Sequence, residues 1–215
     1  MSRVAVFIDY QNSYRGAREA IDQTDAIAQV GQVYPRRLGI LLSDRGRTMD
    51  PDRELEYVRV FRGEPSKDHS RIGQAACQRQ VRFWNAQAAV TAVTRPLKYY
   101  STGVDPGGRP IWEPREKGID VLIAIHMVMG AQQDEYDTAV LVSADTDLIP
   151  AIEAVLDLGK RCEVASWQGR THRRSRLSVP GRNVWCHWLS DRDYDLVEDP
   201  TDYTRPQRGV PPASP

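Results

Sequence analysis

Cysteine is nearly missing from this chain. Cys77, Cys162 and Cys186 lie far apart and form no CxxC pair, so neither a zinc knuckle nor a disulfide framework is indicated. No apolar run approaches the roughly 20 residues of a membrane-spanning helix. The start, Met-Ser-Arg running straight into an apolar stretch, lacks the layout of a signal peptide. The expectation is a soluble, cytoplasmic protein with reduced thiols and no membrane partner. Net charge is missing as well: 29 basic residues meet 29 acidic ones, so no global field attracts a polyanion. Internal repeats are absent.

What charge there is, is segregated. Residues 168–183 hold Arg170, Arg173, Arg174, Arg176 and Arg182 with no acid, whereas 190–203 hold six acids against Arg192 alone. From Asp199 onward prolines accumulate and apolar residues nearly vanish. Composition therefore suggests a domain over 1–190 and a tail over 191–215, acidic and then Pro-rich, with disorder toward its end.

The most informative stretch is 138–150, where an apolar run ends abruptly in Ser143-Ala-Asp145-Thr146-Asp147 and a helical pattern opens at Leu148. The run reads as a buried parallel strand, and acids just past such a strand stand where open α/β sheets place ligands. Capping the next helix accounts for one Asp. A second adds like-charge repulsion, which a divalent cation offsets. Val4–Ile8 repeats the grammar: apolar run, Asp9, Asn12, helix through Ala20. Taken alone, Asp9 and Asn12 are accounted for by turn and cap chemistry.

Between these stretches the pattern gives a helix from Pro35 to Leu42, a loop over 43–53 and a strand over 55–61. A long helix follows from Ser70 to about Ala92, and a strand over 94–100. The Pro- and Gly-rich segment 101–114 reads as a loop or short hairpin overhanging the strand ends. Residues 117–129 form a helix with Asp120 in its first turn, 161–166 a strand, and 183–189 a last, edge-lying strand. Strands alternating with helices imply a three-layer α/β/α domain around a mostly parallel central sheet. Such a fold gathers strand C-termini at one edge, bringing Asp9 to the Asp145/Asp147 pair if their strands neighbour.

Three motifs in this order resemble those of the NYN family, a branch of the PIN-like nuclease superfamily, and within it the bacterial LabA-like group. They are Phe7-Ile-Asp9-Tyr-Gln-Asn12, Lys117-Gly-Ile-Asp120-Val, and Val142-Ser-Ala-Asp145-Thr-Asp147-Leu followed by Pro150 and Gly159-Lys160. The likeness spans roughly residues 4–166. It implies a PIN-like fold and a metal-dependent endoribonuclease, with Asp9, Asp120, Asp145 and Asp147 binding Mg2+ or Mn2+ and Asn12 completing the catalytic set. Carboxylate oxygens suit such hard cations, which activate a water for in-line displacement.

RNA, single-stranded or with unpaired regions, is the expected partner. Ser143, Thr146, Lys117, Arg170, Arg173 and Arg174 are the substrate-binding candidates, with His172 and Arg176 alongside, Arg62, Arg36 and Arg37 weaker, and Tyr10 and Trp112 as base-stacking rings. LabA-like members usually carry another Asp where this chain has His126. Six residues after Asp120, about 120° round the ~3.6-residue helix, it reads as a packing histidine, with a ligand favouring Mn2+ as the alternative. The alternative function is a catalytically weak NYN-like module binding RNA or protein. A phosphatase of the haloacid-dehalogenase kind would carry its Asp-x-Asp after the first strand, where this chain has Asp9-Tyr-Gln. Homo-oligomerisation stays open, with Trp185 and Trp188 as interface candidates.

Overall fold

A computed structural model describes residues 1–169 and 176–205. Its centre is strand β1 (Ser2–Asp9), whose residues Val4 to Ile8 are wholly buried. Strand alternation sends Ala5 and Phe7 to one face of the sheet and Val4, Val6 and Ile8 to the other. Both faces are covered by helices, which is why the run is apolar without interruption. The Val, Phe and Ile side chains each contribute on the order of 2 kcal/mol by burial.

Helix α1 (Tyr10–Ala20) follows at once, then α2 (Pro35–Gly46), β2 (Arg53–Glu64), α3 (Arg71–Asn85) and β3 (Val90–Pro96). A two-stranded antiparallel ribbon, β4 (Lys98–Val104) and β5 (Pro110–Arg115), interrupts the alternation. The chain resumes with α4 (Ile119–Gln132), β6 (Thr138–Val142), a 3₁₀ turn (Thr146–Leu148), α5 (Ile149–Asp157), β7 (Arg161–Trp167), β8 (Trp185–Leu189) and α6 (Asp191–Val197). The main sheet is parallel throughout, in the order β3-β2-β1-β6-β7-β8. α4 and α5 pack on one face; α1, α2 and Trp84 of α3 pack on the other. The expected three-layer α/β/α architecture is therefore present. Winding runs outward from β1 in one direction and from β6 in the other, so the topological switch point lies between these two strands.

Several boundaries differ from the expectation. Helix α3 stops at Asn85, because Ala89 takes a left-handed φ of 61° and the Asn85 side chain accepts the Ala92 N–H at 2.7 Å. The apolar residues after it belong to β3, paired with β2, and the strand expected over 94–100 is split between β3 and β4. Of the two forms expected for 101–114 it takes the hairpin, bulged between Ser101 and Gly103, and tolerates Pro110 and Pro114 because both its edges are free of the main sheet. α2 continues to Gly46, beyond the expected stop. α4 is apolar all round, and Val121, Ile125 and Met129 on its outer side remain exposed.

The acidic segment does not begin a tail at 191. α6 opens with a Ser190/Asp193 capping box, Asp199 and Tyr203 are buried, and the Tyr203 hydroxyl donates to Asp199 Oδ2 at 2.7 Å. Arg79 of α3 holds the carbonyls of Tyr203 and Thr204. Composition misread these residues because their acids are spent on caps and buried bonds. The remainder of the expected tail, 206–215, lies outside the described residues. Trp185 and Trp188 are half-buried in β8, the former against His187 and the latter on the core.

Two buried arginines organise the irregular parts. Arg18 donates to the carbonyls of Thr24, Ala26, Ile27 and Val30, giving order to a segment without periodicity. Arg53 bonds both oxygens of Glu163 at 2.9 and 3.1 Å, and Glu163 in turn meets His187 at 2.8 Å. Arg53 passes so close to Gly46 that a Cβ there would sit 1.6 Å from its Nη1.

Candidate metal and phosphoryl-transfer site

Asp9 ends β1 and caps α1: its Oδ1 accepts the Asn12 N–H at 3.1 Å. Its Oδ2 accepts from the Ser143 hydroxyl at 3.0 Å, and that hydroxyl accepts the Asp145 N–H at 3.1 Å. Asn12 Oδ1 accepts the Ala144 N–H at 3.0 Å. The ends of β1 and β6 are thus cross-tied at the switch point, with Asp9 and Asp145 on either side of one serine. Asp145 also caps the 3₁₀ turn, accepting the Asp147 N–H at 3.0 Å. The capping role foreseen for these acids is present at both Asp9 and Asp145.

A cavity of about 610 Å³ opens above this junction, lined by Asp9, Asn12, Ser143 and Asp145, and by Asp120 at the start of α4. Gly118 makes that start possible: its φ of 77° turns the chain from the hairpin into the helix, a conformation open to glycine. Glu116, just before it, also lines the cavity and accepts the Gly63 N–H at 2.6 Å. Sequence reasoning missed Glu116. The only signal was an acid adjoining the Lys-Gly-Ile-Asp motif, and its approach depends on the hairpin's path. Arg15 and Glu19 of α1, Glu113 and Arg115 of β5, and Gly169 complete the parts of the wall that bear on the chemistry.

The acids disturb one another. Burial above all pushes the Asp9 carboxyl up to about 6, against the bonds from Asn12 and Ser143, with Glu116 and Asp120 adding repulsion. Asp120 is raised by burial and then by Asp145 and Asp147. Glu116 is raised by burial, although Gly63 and Arg62 oppose it. Like charges gathered in a half-dry cleft are a site that gains from a cation. As the side chains stand, however, no three His, Cys, Asp or Glu among the described residues are grouped closely enough to hold a metal ion.

Other candidates fall elsewhere. Asp147 and Thr146 are exposed and outside the cavity lining: a 3₁₀ turn rotates each residue about 120° from the last, carrying them away from the capping Asp145. Asp147 still acts on Asp120 through its charge. Lys117 is exposed and not part of the lining, while Ser143 spends its hydroxyl on Asp9 and Asp145. Arg62 lies over the rings of Tyr10 and Trp84 and bonds Gln80, and the Tyr10 ring is engaged by Tyr14, stacked on it, and by Trp84, edge-on, away from the cavity lining. Arg37 lies over Tyr34; neither it nor Arg36 lines the cavity. Arg170, His172, Arg173 and Arg174 lie outside the described residues, although Gly169, just before them, is in the cavity wall. Arg176 is exposed.

His126 sits where its helical position predicts, away from Asp120. Its Nδ1 is 3.2 Å from Arg59 Nη1 and its ring leans on Phe61. Burial, and then Arg59, lower its proton affinity. It is a half-buried packing residue.

No helix among the described residues is long and apolar enough to cross a membrane. The family model of the NYN domain matches residues 3–179. No curated protein matches the sequence. Among solved structures, a protein of unknown function from Vibrio parahaemolyticus is similar at 17% identity over 76% of this chain and 80% of that one, with a TM-score of 0.45; at that level the likeness carries no further argument.

Proposed function

The chain belongs to the NYN domain family, whose fold is that of PIN-like nucleases, and on that premise we propose that it is a metal-dependent endoribonuclease. One observation carries the reading: Asp9 and Asp145, tied through Ser143 at the switch point, share a cavity with Asp120 and Glu116. The donor chemistry fits Mg2+ or Mn2+, being all carboxylate oxygen, and the raised proton affinities of Asp9, Asp120 and Glu116, caused first by burial and then by neighbouring acids, are of the kind a bound cation offsets. Bound there, the ion would supply an activated water and charge neutralisation at the phosphate.

The protein's own part is placement. The Ser143 hydroxyl and the Asn12 N–H hold the Asp9 carboxylate in fixed orientation, Ser143 also fixes the Asp145 backbone, and the Asp147 N–H holds the Asp145 carboxylate. Asp120 and Glu116 line the same cavity, and Asp147 adds charge from outside the lining. Arg15 and Arg115, within the lining, are the cations nearest to hand for RNA phosphates; Arg170, Arg173 and Arg174 are kept as phosphate-binding candidates on their sequence alone. Lys117 and Thr146 lie further out and serve at most the flanking backbone. Three unpaired, buried cysteines suit the reducing cytoplasm.

A second reading, an RNA- or protein-binding module with little activity, is favoured by the absence of a three-ligand group among the described residues. The two separate by incubating the protein with structured and unstructured RNA plus Mn2+ or Mg2+, beside Asp145→Asn. Cleavage abolished by EDTA and by the variant supports the nuclease. RNA bound yet uncut in both metals overturns it.

A further inference from the structure

The cavity is dominated by acids, so a polyanion can settle there only if cations receive it at the rim. One rim is the β4–β5 hairpin. Directly opposed residues of an antiparallel pair share a face, and the register opposes Lys98 to Arg115 and Tyr100 to Glu113. Glu113, Pro114 and Arg115 line the cavity, so the end of β5 belongs to the cavity wall, and Glu113 and Arg115 link that wall to the Lys98/Tyr100 face of the hairpin. On it the Arg115 guanidinium lies over the Tyr100 ring, 5.4 Å from its centroid. Tyr100 is 42% exposed and Lys98 is exposed beside it.

The opposite face is differently employed. His69 stacks on Tyr99 at 3.8 Å with the ring planes 14° apart, Trp112 meets His69 edge-on, and the Tyr99 hydroxyl accepts the Ser66 N–H at 3.1 Å. These rings pin the hairpin to the segment before α3. The arm is thereby fixed from one side, leaving on the other the Tyr100 ring with Lys98 next along β4 and the Arg115 guanidinium over it, the latter also paired with the exposed Glu113 at 3.0 Å.

Resting on RNA as the substrate, we propose that Lys98, Tyr100 and Arg115 form a subsite for an unpaired nucleotide flanking the phosphate in the cavity. The base stacks on the Tyr100–Arg115 platform, and Lys98 and Arg115 pair the adjoining backbone phosphate. A ring face accepts any base but only one that is out of a duplex, so the subsite selects single strands without reading sequence. An aromatic ring flanked by cations and continuous with a nuclease-like cavity favours RNA over a protein ligand.

The test measures binding in EDTA, so that it does not depend on cleavage. A fluorescein-labelled 12-nucleotide U-rich single strand and a duplex of the same length serve as probes, with circular dichroism confirming that each variant is folded. Tyr100→Ala should weaken single-strand binding about tenfold and leave the duplex unchanged, while Tyr100→Phe keeps the ring and binds like the parent. Replacing Lys98 and Arg115 with Ala should lower the slope of log affinity against log salt by about 0.7 for each phosphate no longer neutralised. If Tyr100→Ala binds like the parent while the parent still cuts RNA, the subsite is wrong and the nuclease reading stands. Tyr100-dependent binding without cleavage in either metal keeps the subsite and removes the nuclease. If the parent binds no RNA at all, both fall and a protein ligand becomes the occupant to seek.

Discussion

The Ser143 hydroxyl donates to Asp9 Oδ2 at 3.0 Å, bridging two strand ends that lie 134 residues apart in the chain. Because the same oxygen accepts the Asp145 N–H, one small side chain orients the Asp9 carboxylate and fixes the backbone that carries Asp145. A hydrogen bond to the ionised form lowers a carboxyl's proton affinity. Ser143→Ala should therefore push Asp9 above its value of about 6 and move the acid limb of Mn2+-supported cleavage to higher pH, at a stability cost of about 1–3 kcal/mol. Ser143→Thr should restore the profile. Activity lost with the limb unmoved would mean that Asp9 is not the titrating group.

Asp9 itself lowers stability above its pKa. Folding raises it from 3.8 to about 6, so its contribution is fully present below pH 4 and is lost as pH rises through 6. Two units correspond to about 2–3 kcal/mol, little discounted at 5% exposure. Asp9→Asn should gain on the parent by about that much between pH 4 and pH 7 in urea unfolding, while losing cleavage. A pH-independent difference between the two proteins would contradict the raised value.

Metal should stabilise the fold. An ion that binds the folded state alone adds about 2.7 kcal/mol at a hundred times its Kd, so Mn2+ or Mg2+ should raise Tm and EDTA reverse it. The shift should shrink below pH 6, where protons compete for Asp9. Asp120→Asn and Asp145→Asn should each remove most of it; an undiminished shift in both would place the ion elsewhere.

His126→Asp should leave metal affinity unchanged, since position 126 faces Arg59 and Phe61 and is not part of the cavity. The new carboxylate would pair with Arg59. Isothermal titration with Mn2+ checks this, and a markedly tighter site would return position 126 to the ligand set.

Gly46→Ala strikes at the other end of the sheet. Its Cβ would occupy the space of the Arg53 guanidinium and strand Glu163, and disrupting a buried pair in this way costs about 3–5 kcal/mol. Thermal melts should show the loss, with cleavage below the transition little altered. A variant as stable as the parent would mean that Arg53 finds another path.

Much of the fold is legible in the residues alone. The β1 and β6 runs are legible because a strand buried on both faces admits only apolar residues, and the acids stand out because they end those runs. Glu116 is not legible, since an isolated acid in a loop has no periodicity to mark it. Sequence extends α3 too far because Ala86, Ala88 and Ala89 favour helix locally, while the turn there depends on the Asn85–Ala92 bond and on pairing with β2. α6 is hidden because caps and buried carboxylates look, in composition alone, like a charged tail.

The amino-acid order by itself determined most of the strand segments, that the sheet is parallel and covered on both faces, and which acids end β1 and β6. Those are local properties, set by burial and periodicity. Only the tertiary structure decided that β6 lies beside β1, that the hairpin brings Glu116 and Arg115 to the same cavity, and that Asp147 stands apart from it. Strand partners are chosen by long-range packing, and a helix or 3₁₀ turn assigns each side chain its direction only once its axis is fixed. The Ser143 bridge therefore exists only because the winding of the sheet reverses between the two strands it joins.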